Sequence, residues 1–317
     1  MIKNKKALEF SFNWLFAIIV GAVVIFLAIY ISSQYIKTAR IEQDTKLGKE
    51  LGIILTPIET DLEASKITKI SMPQETRIYN ECQETGTFGL QKISTATKSL
   101  NDKWDQQGLA SSFSNKYLFS EKIIEGKDYT VFSKSLEMPF KIADIMYIWP
   151  TKEEFCFVNP PRLIEEEMQD LQTNVNVTSS ASECPREAKK VCFTTSGCDI
   201  DVSLDASGKI KGSLKKKLSN RVYFEGSIFL YASIFSDPEI YECQLKRLMK
   251  RASELSLLYY SKSLFLTPKG CSSNLEIDLA DYANQTLSLN NSLQLRDIFL
   301  SSEIIRRKNN DLSCKLF

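Results

Sequence analysis

The side chains best equipped for chemistry in this sequence are eight cysteines: Cys82, Cys156, Cys184, Cys192, Cys198, Cys243, Cys271 and Cys314. The chain has no histidine. That removes the usual general base of serine and cysteine hydrolases, so neither a Ser-His-Asp nor a Cys-His arrangement can form. No C-x-x-C pair occurs, and zinc would need an all-cysteine set at unusual spacing. An even number of thiols reads instead as disulfides, provided the cysteines face an oxidising compartment. Ser–Lys and paired-carboxylate chemistry depend on groups that meet only in space. G-x-S-x-G, P-loop and G-x-G-x-x-G motifs are absent. No catalytic residue, metal or cofactor is assigned.

Two charged stretches invite a ligand. Asp199, Asp201 and Asp205 have calcium-loop spacing, but Leu204 stands where an EF-hand needs glycine and Ile210 where it needs its glutamate. Alternate strand positions and a turn at Asp205 account for the three aspartates more simply. Lys209, Lys211, Lys215, Lys216, Lys217 and Arg221 form a basic run that could meet an anionic partner. The plainer reading is a solvated hairpin whose lysines guard a strand edge. No aromatic is interleaved before Tyr223, so base stacking is unsupported and no nucleic acid is expected.

Whatever these residues do, one segment positions them all. Phe10–Ser33 carries no charge, and its apolar centre from Trp14 to Ile31 is long enough to cross a bilayer. Lys3, Lys5 and Lys6 precede it, which predicts a cytoplasmic N-terminus and an external remainder. Trp14, Tyr30 and Tyr35 suit the two interfaces. The run exceeds a signal-peptide h-region and no A-x-A-like site follows, so a retained signal-anchor is expected. Ala17, Gly21 and Ala28 share a face on which two anchors could approach. All eight cysteines then lie outside, as do three N-x-S/T sequons at Asn176, Asn284 and Asn290.

The expected organisation is a basic leader (1–9), the anchor (10–33), a helical stalk (34–56), a strand-rich domain (57–171), a polar linker (172–186) and an α+β domain (187–317). The stalk stripe is Ile36, Arg40, Gln43, Leu47, Leu51 and Ile54, with Gly48 as a weak point and Pro57 as the stop. Strands are predicted at Thr76–Tyr79, Lys116–Phe119, Tyr129–Ser133, Lys141–Ile148, Glu154–Val158, Val191–Phe193, Ile200–Leu204, Val222–Phe224 and Ile228–Ile234. A hairpin is expected around Ala206-Ser207-Gly208. Helices are predicted at Arg162–Leu171, from Pro238 with Asp237 as its cap, and at Leu293–Lys308. Dividing the chain at the linker leaves Cys82 and Cys156 on one side and six cysteines on the other. This predicts a Cys82–Cys156 bridge, and Cys192–Cys198 is expected across a short turn. The sequence halves differ slightly in charge, −4 for residues 1–184 (20 basic, 24 acidic) and +5 for the rest (20 basic, 15 acidic), too little to imply a polyanionic partner.

The opening KKALEFSFNWLFAIIVGAVVIFLAIY, with NKYLFSEKIIEGKDYTVFSK and MPFKIADIMYIWP, resembles a group of uncharacterised membrane-anchored archaeal proteins. That resemblance implies a surface location and no particular activity. The chain is also similar to type IV pilin-like subunits in its basic leader, its Glu9 near an apolar helix and its amphipathic continuation. It lacks their glycine before a cleavage point. The reading is therefore a non-enzymatic, single-pass cell-envelope protein with a structural or interaction role. Its partners are the lipid bilayer and, through the transmembrane helix, another protein or a second copy. A pilin-like filament subunit is the first alternative, and a tethered hydrolase without histidine the second.

Overall fold

The computed structural model describes residues 12–60, 66–99, 102–170, 174–194, 196–206, 208–217 and 219–317. Lys3, Lys5, Lys6, Glu9, Leu171, Ser207 and part of the expected linker lie outside the described residues. The protein is mixed α and β, with a long apolar N-terminal helix, two six-stranded sheets and four disulfides.

Helix α1 (Phe12–Thr60) is unbroken over 49 residues, about 72 Å at 1.5 Å per residue. Its apolar window has mean hydropathy 2.8 and none of it is buried. The second half is not a free stalk. Asp44, Gly48, Leu51, Gly52 and Leu55 turn inward onto a sheet, while Ile36, Gln43 and Ile54 of the expected stripe are exposed. The packed face mixes Asp44, Gly48 and Gly52 with Leu51 and Leu55, so the apolar stripe in the sequence marks only part of it. A Cβ on Gly48 would lie 3.5 Å from the Ile93 carbonyl, and one on Gly52 would overlap the Phe113 ring. Gly48 is thus a site of close approach within a continuous helix, and Pro57 falls inside the last turns.

The first sheet comprises β1 (Lys66–Gln83), β2 (Leu90–Thr97), β3 (Ser111–Phe113), β4 (Leu118–Phe119), β5 (Ile123–Glu137) and β6 (Lys141–Pro150) in the order β3-β2-β1-β5-β6-β4. All its pairings are antiparallel except β4 with β6. Period-two alternation divides its side chains between two cores. Ile78, Ile93, Tyr129, Val131, Met146 and Ile148 meet Leu51 and Leu55 of α1. Phe132, Ile145, Tyr147 and Trp149 face the opposite way, into the main core.

The second sheet contains β7 (Phe155–Val158), β8 (Val175–Thr178), β9 (Lys189–Cys192), β10 (Ile200–Leu204), β11 (Lys211–Lys216) and β12 (Val222–Glu225), ordered β12-β11-β10-β9-β7-β8. Between β7 and β8 lies α2 (Arg162–Asp170). Strand β8 comes from the segment expected as a linker, and Asn174 beside it accepts a hydrogen bond from the Trp149 indole at 3.1 Å. Val175–Thr178 of the expected linker are thus part of the second sheet. The main core runs through residues on both sides of that linker.

Helix α3 (Gly226–Phe235) corrects a predicted strand. Phe229 to Phe235 are all buried, and a short run apolar on every side has no period to reveal it. Its Tyr231 and Phe235 join Phe132, Tyr147 and Trp149 of the first sheet to Phe155 of the second. Trp149 and Phe235 stack at 4.4 Å. Beyond it come α4 (Pro238–Leu266), α5 (Glu276–Leu287) and α6 (Leu295–Asn310), of which α5 is not among the predicted helices.

Cys82 pairs with Cys243 and Cys156 with Cys184, so the expected Cys82–Cys156 bridge is corrected. Phe155 and Phe157 point into the main core, which turns Cys156 to the outer face of the second sheet beside Cys184, Ala188 and Cys192. Cys82 instead ends β1 opposite the first turns of α4. Cys192–Cys198 forms as expected, and Cys271–Cys314 ties the end of α4 to the C-terminus. Closing the 161-residue separation of Cys82–Cys243 is worth about 5 kcal/mol in the chain-entropy limit, against about 2 for the six-residue loop.

Arg247 on α4 is entirely buried and has no ion pair among the described residues. Its guanidinium donates to the carbonyls of Phe88 (3.1 Å), Lys116 (3.0 Å), Phe113 (3.4 Å) and Ser114 (3.1 Å), and to Gln244 Oε1 (2.7 Å). It also lies 4.8 Å over the Tyr117 ring. Burial pushes its pKa down to about 10. Gly89, at φ +59°, leaves room for it, since a Cβ there would sit 2.8 Å from Arg247 Cγ. Gln244 continues the network by donating to Gln91, which in turn donates to Asn80. Arg247→Ala should lower unfolding stability by about 3–5 kcal/mol in urea titration, because several buried carbonyls lose their donor. Arg247→Lys should recover only part, since an ammonium cannot span the same carbonyls. A loss below about 1 kcal/mol for the alanine variant would show the network to be dispensable.

Asp44 is the reverse case. Its Oδ1 has no partner among the described residues, and its Oδ2 accepts a long 3.4 Å bond from the Thr97 amide. Burial raises its pKa, with the Thr97 hydrogen bonds opposing. A folded-state pKa above the unfolded one means stability gained as pH falls through the folded value and lost as it rises. Asp44→Asn should therefore be more stable than the native protein at neutral pH and should flatten the acid side of the stability profile, measured by melting temperature against pH.

Candidate functional site

The strand register that builds the second sheet also sorts its charged residues. Lys211–Lys216 form β11, whose alternate side chains face opposite ways, so the expected basic patch is divided. Lys211 pairs with Asp205 at 3.1 Å and Lys217 with Asp199 at 2.7 Å. Lys209, Lys215 and Arg221 are exposed. Lys216 turns toward the first sheet, where burial pushes its pKa down to about 8 against the pull of Glu121 and Asp237. Next to it, Lys189 bridges Glu121 at 2.6 Å and also pairs with Glu153. Lys211 and Lys217 thus meet carboxylates of their own, while Lys209, Lys215 and Arg221 face solvent.

The three aspartates are likewise separated. Asp199 accepts from the Lys190 amide (3.0 Å) and Lys217. Its pKa is lowered chiefly by the Lys217 hydrogen bond. Asp201 accepts from the Gly197 and Cys198 amides (3.1 and 3.0 Å), closing the turn under the Cys192–Cys198 bridge. Asp205 faces a different cavity. Among the described residues no group of three or more His, Cys, Asp and Glu side chains is placed to hold a metal.

That cavity, about 290 Å³, opens where β10, β11 and β12 meet the start of α6. Asp205, Lys211, Glu225 and Arg296 line it, with Tyr223 and Ser292. The Lys211 hydrogen bond lowers the pKa of Asp205. Glu225 is raised by burial, which outweighs the attraction of Lys211, Arg296 and Lys209. Two acids whose pKa values move apart beside two cations make a polar groove of balanced charge. Sequence reasoning found Asp205 and Lys211 but missed Glu225 and Arg296. They stand 20 and 91 positions beyond Asp205; Glu225 reaches it through the β11–β12 pairing and Arg296 through the β12–α6 contact.

The sequon asparagines Asn176, Asn284 and Asn290 are all exposed, the first on β8, the second on α5 and the third just after it. The N-terminal apolar helix fits a membrane anchor, and the four disulfides suggest an oxidising, extracellular setting for the body beyond it. Because each aspartate already has its own lysine or amide partner, millimolar calcium should leave the melting temperature of the purified protein unchanged. An upward shift abolished by Asp201→Asn would show that the carboxylates can be gathered after all.

No family model matches this chain, and neither a curated protein nor a solved structure matches it.

Proposed function

We propose that this is a non-enzymatic, membrane-anchored cell-envelope protein whose disulfide-bonded body has a structural or interaction role outside the membrane. The carrying observation is the division of α1, whose first half is bare and apolar while its second half is built into the body. A helix so shared holds the body at a set distance and angle from the bilayer, which suits a fixed surface component. The N-terminus is cytoplasmic in this reading and the body external. Four disulfides support an exterior exposed to oxidants and proteases. The groove at Asp205 and Glu225 is too evenly charged to favour one reaction.

A second reading is a pilin-like filament subunit. It is favoured by the same half-bare, half-packed helix, because an exposed apolar half can be buried by copies of itself as well as by lipid. The readings part at the N-terminus. Lys3, Lys5 and Lys6 would be awkward in a dry helical bundle and favourable at a membrane surface. The anchor reading expects a mature protein that keeps residues 1–9 apart from Met1. It also expects the protein to stay with membranes when cells are sheared and to lose its external body to protease added to intact cells. Full protection without detergent would overturn the topology. An N-terminus beginning between Ala7 and Phe10 in sheared filaments would put the filament reading first.

A further inference from the structure

Followed from Leu109 back to Asp105, the loop descends α1 toward its apolar end. The Leu109 amide donates to Thr45 Oγ1 at 3.0 Å, Gly108 lies against the Asp44–Thr45 backbone, and Asp105 pairs with Arg40 at 2.7 Å. Falling residue numbers in the loop thus match falling numbers on the helix. At the foot of this descent is a groove of about 320 Å³ lined by Ser33, Ile36, Lys37, Arg40, Asp105 and Gln106.

Its height is set by helix geometry. The apolar run ends at Ile31, so Ser33, Lys37 and Arg40 rise about 3, 9 and 14 Å above that level. The headgroup layer on each side of a bilayer is about 5–8 Å deep. Side chains on a helix lean toward its N-terminus, so the long Lys37 stem lowers its ammonium into that layer. Asp105 already neutralises Arg40, and Lys37 has no ion pair among the described residues. The groove therefore carries one net positive charge, with the Gln106 amide as a further donor.

We infer that this groove binds the phosphodiester headgroup of an anionic phospholipid in the outer leaflet, with Lys37 as its counter-ion and Arg40 held as the wall by Asp105. The inference rests on α1 being a membrane anchor. Occupancy by a lipid would seat the external body on the bilayer and limit its rotation about α1.

The test uses full-length protein in mixed phosphatidylglycerol and phosphatidylcholine nanodiscs, with retained lipid counted by native mass spectrometry. The native protein should keep one phosphatidylglycerol in preference to phosphatidylcholine. Lys37→Gln should reduce retention about tenfold, the loss of one charge-assisted contact. Lys315→Gln, a substitution of an exposed lysine near the C-terminus, should leave it unchanged. Lys37 is exposed, so an unaltered melting temperature excludes misfolding as the cause. Equal retention by Lys37→Gln, or equal retention of phosphatidylcholine, overturns the proposal. So does binding of inorganic phosphate in lipid-free detergent with the same Lys37 dependence, which would make this a soluble-anion site. Loss of the native protein from membranes on alkaline washing would instead remove the anchor reading, a result distinct from any change in lipid count.

Discussion

Both faces of the first sheet are withheld from water, one by α1 and the other by α3 and α4, and each cover depends on a polar contact at its centre. On the α4 side a fully buried guanidinium supplies the contact. Arg247 gathers carbonyls from the segment before β2 and the segment between β3 and β4. Those segments would otherwise carry buried carbonyl groups without donors. Arginine suits the position because its planar fork can serve several acceptors at once. Cys82–Cys243 fixes the helix to the end of β1 one turn earlier.

The α1 side is the weaker of the two. Two glycines bring the helix backbone close to the sheet, and Asp44 enters the interface with one oxygen unpaired among the described residues. This interface joins the apolar half of α1 to everything beyond it, so its stability sets how firmly the body is held. The loop at Gly108 and Asp105 adds contacts with α1 outside the sheet and carries that hold toward the apolar end of the helix. The cost of burying Asp44 is thus set against contacts with β2 and with the loop.

Much of the architecture was legible in local patterns. The apolar run of α1 needs no partner to be recognised, because length and the absence of charge suffice. Strands β5, β6, β7, β10 and β12 and helices α2, α4 and α6 were found because turn residues bound them and their residue types suit a pleated or helical surface. Ile228–Ile234 defeated the same method: wholly buried on every side, it could be strand or helix, and only the gap between the sheets decides for helix. Strand β2 was missed because Gln91, Ser94 and Thr95, all buried, look like surface residues until both of its covers are in place.

The sequence by itself determined the long apolar N-terminal helix, the mixed α and β character, the presence of disulfides and the absence of histidine-based catalysis. Those properties stem from composition, run length and residue type, which act over a few turns of chain. Only the tertiary structure decided which cysteines meet, that Val175–Thr178 of the polar segment join a sheet, and that Asp205 shares a groove with Glu225 and Arg296. Each of these depends on contacts between distant positions, 161 residues apart for Cys82 and Cys243. Even parity of cysteines at a polar segment cannot encode such a contact. The direction of Cys156 was set by its neighbours Phe155 and Phe157 entering the core, and a strand has only two faces to offer.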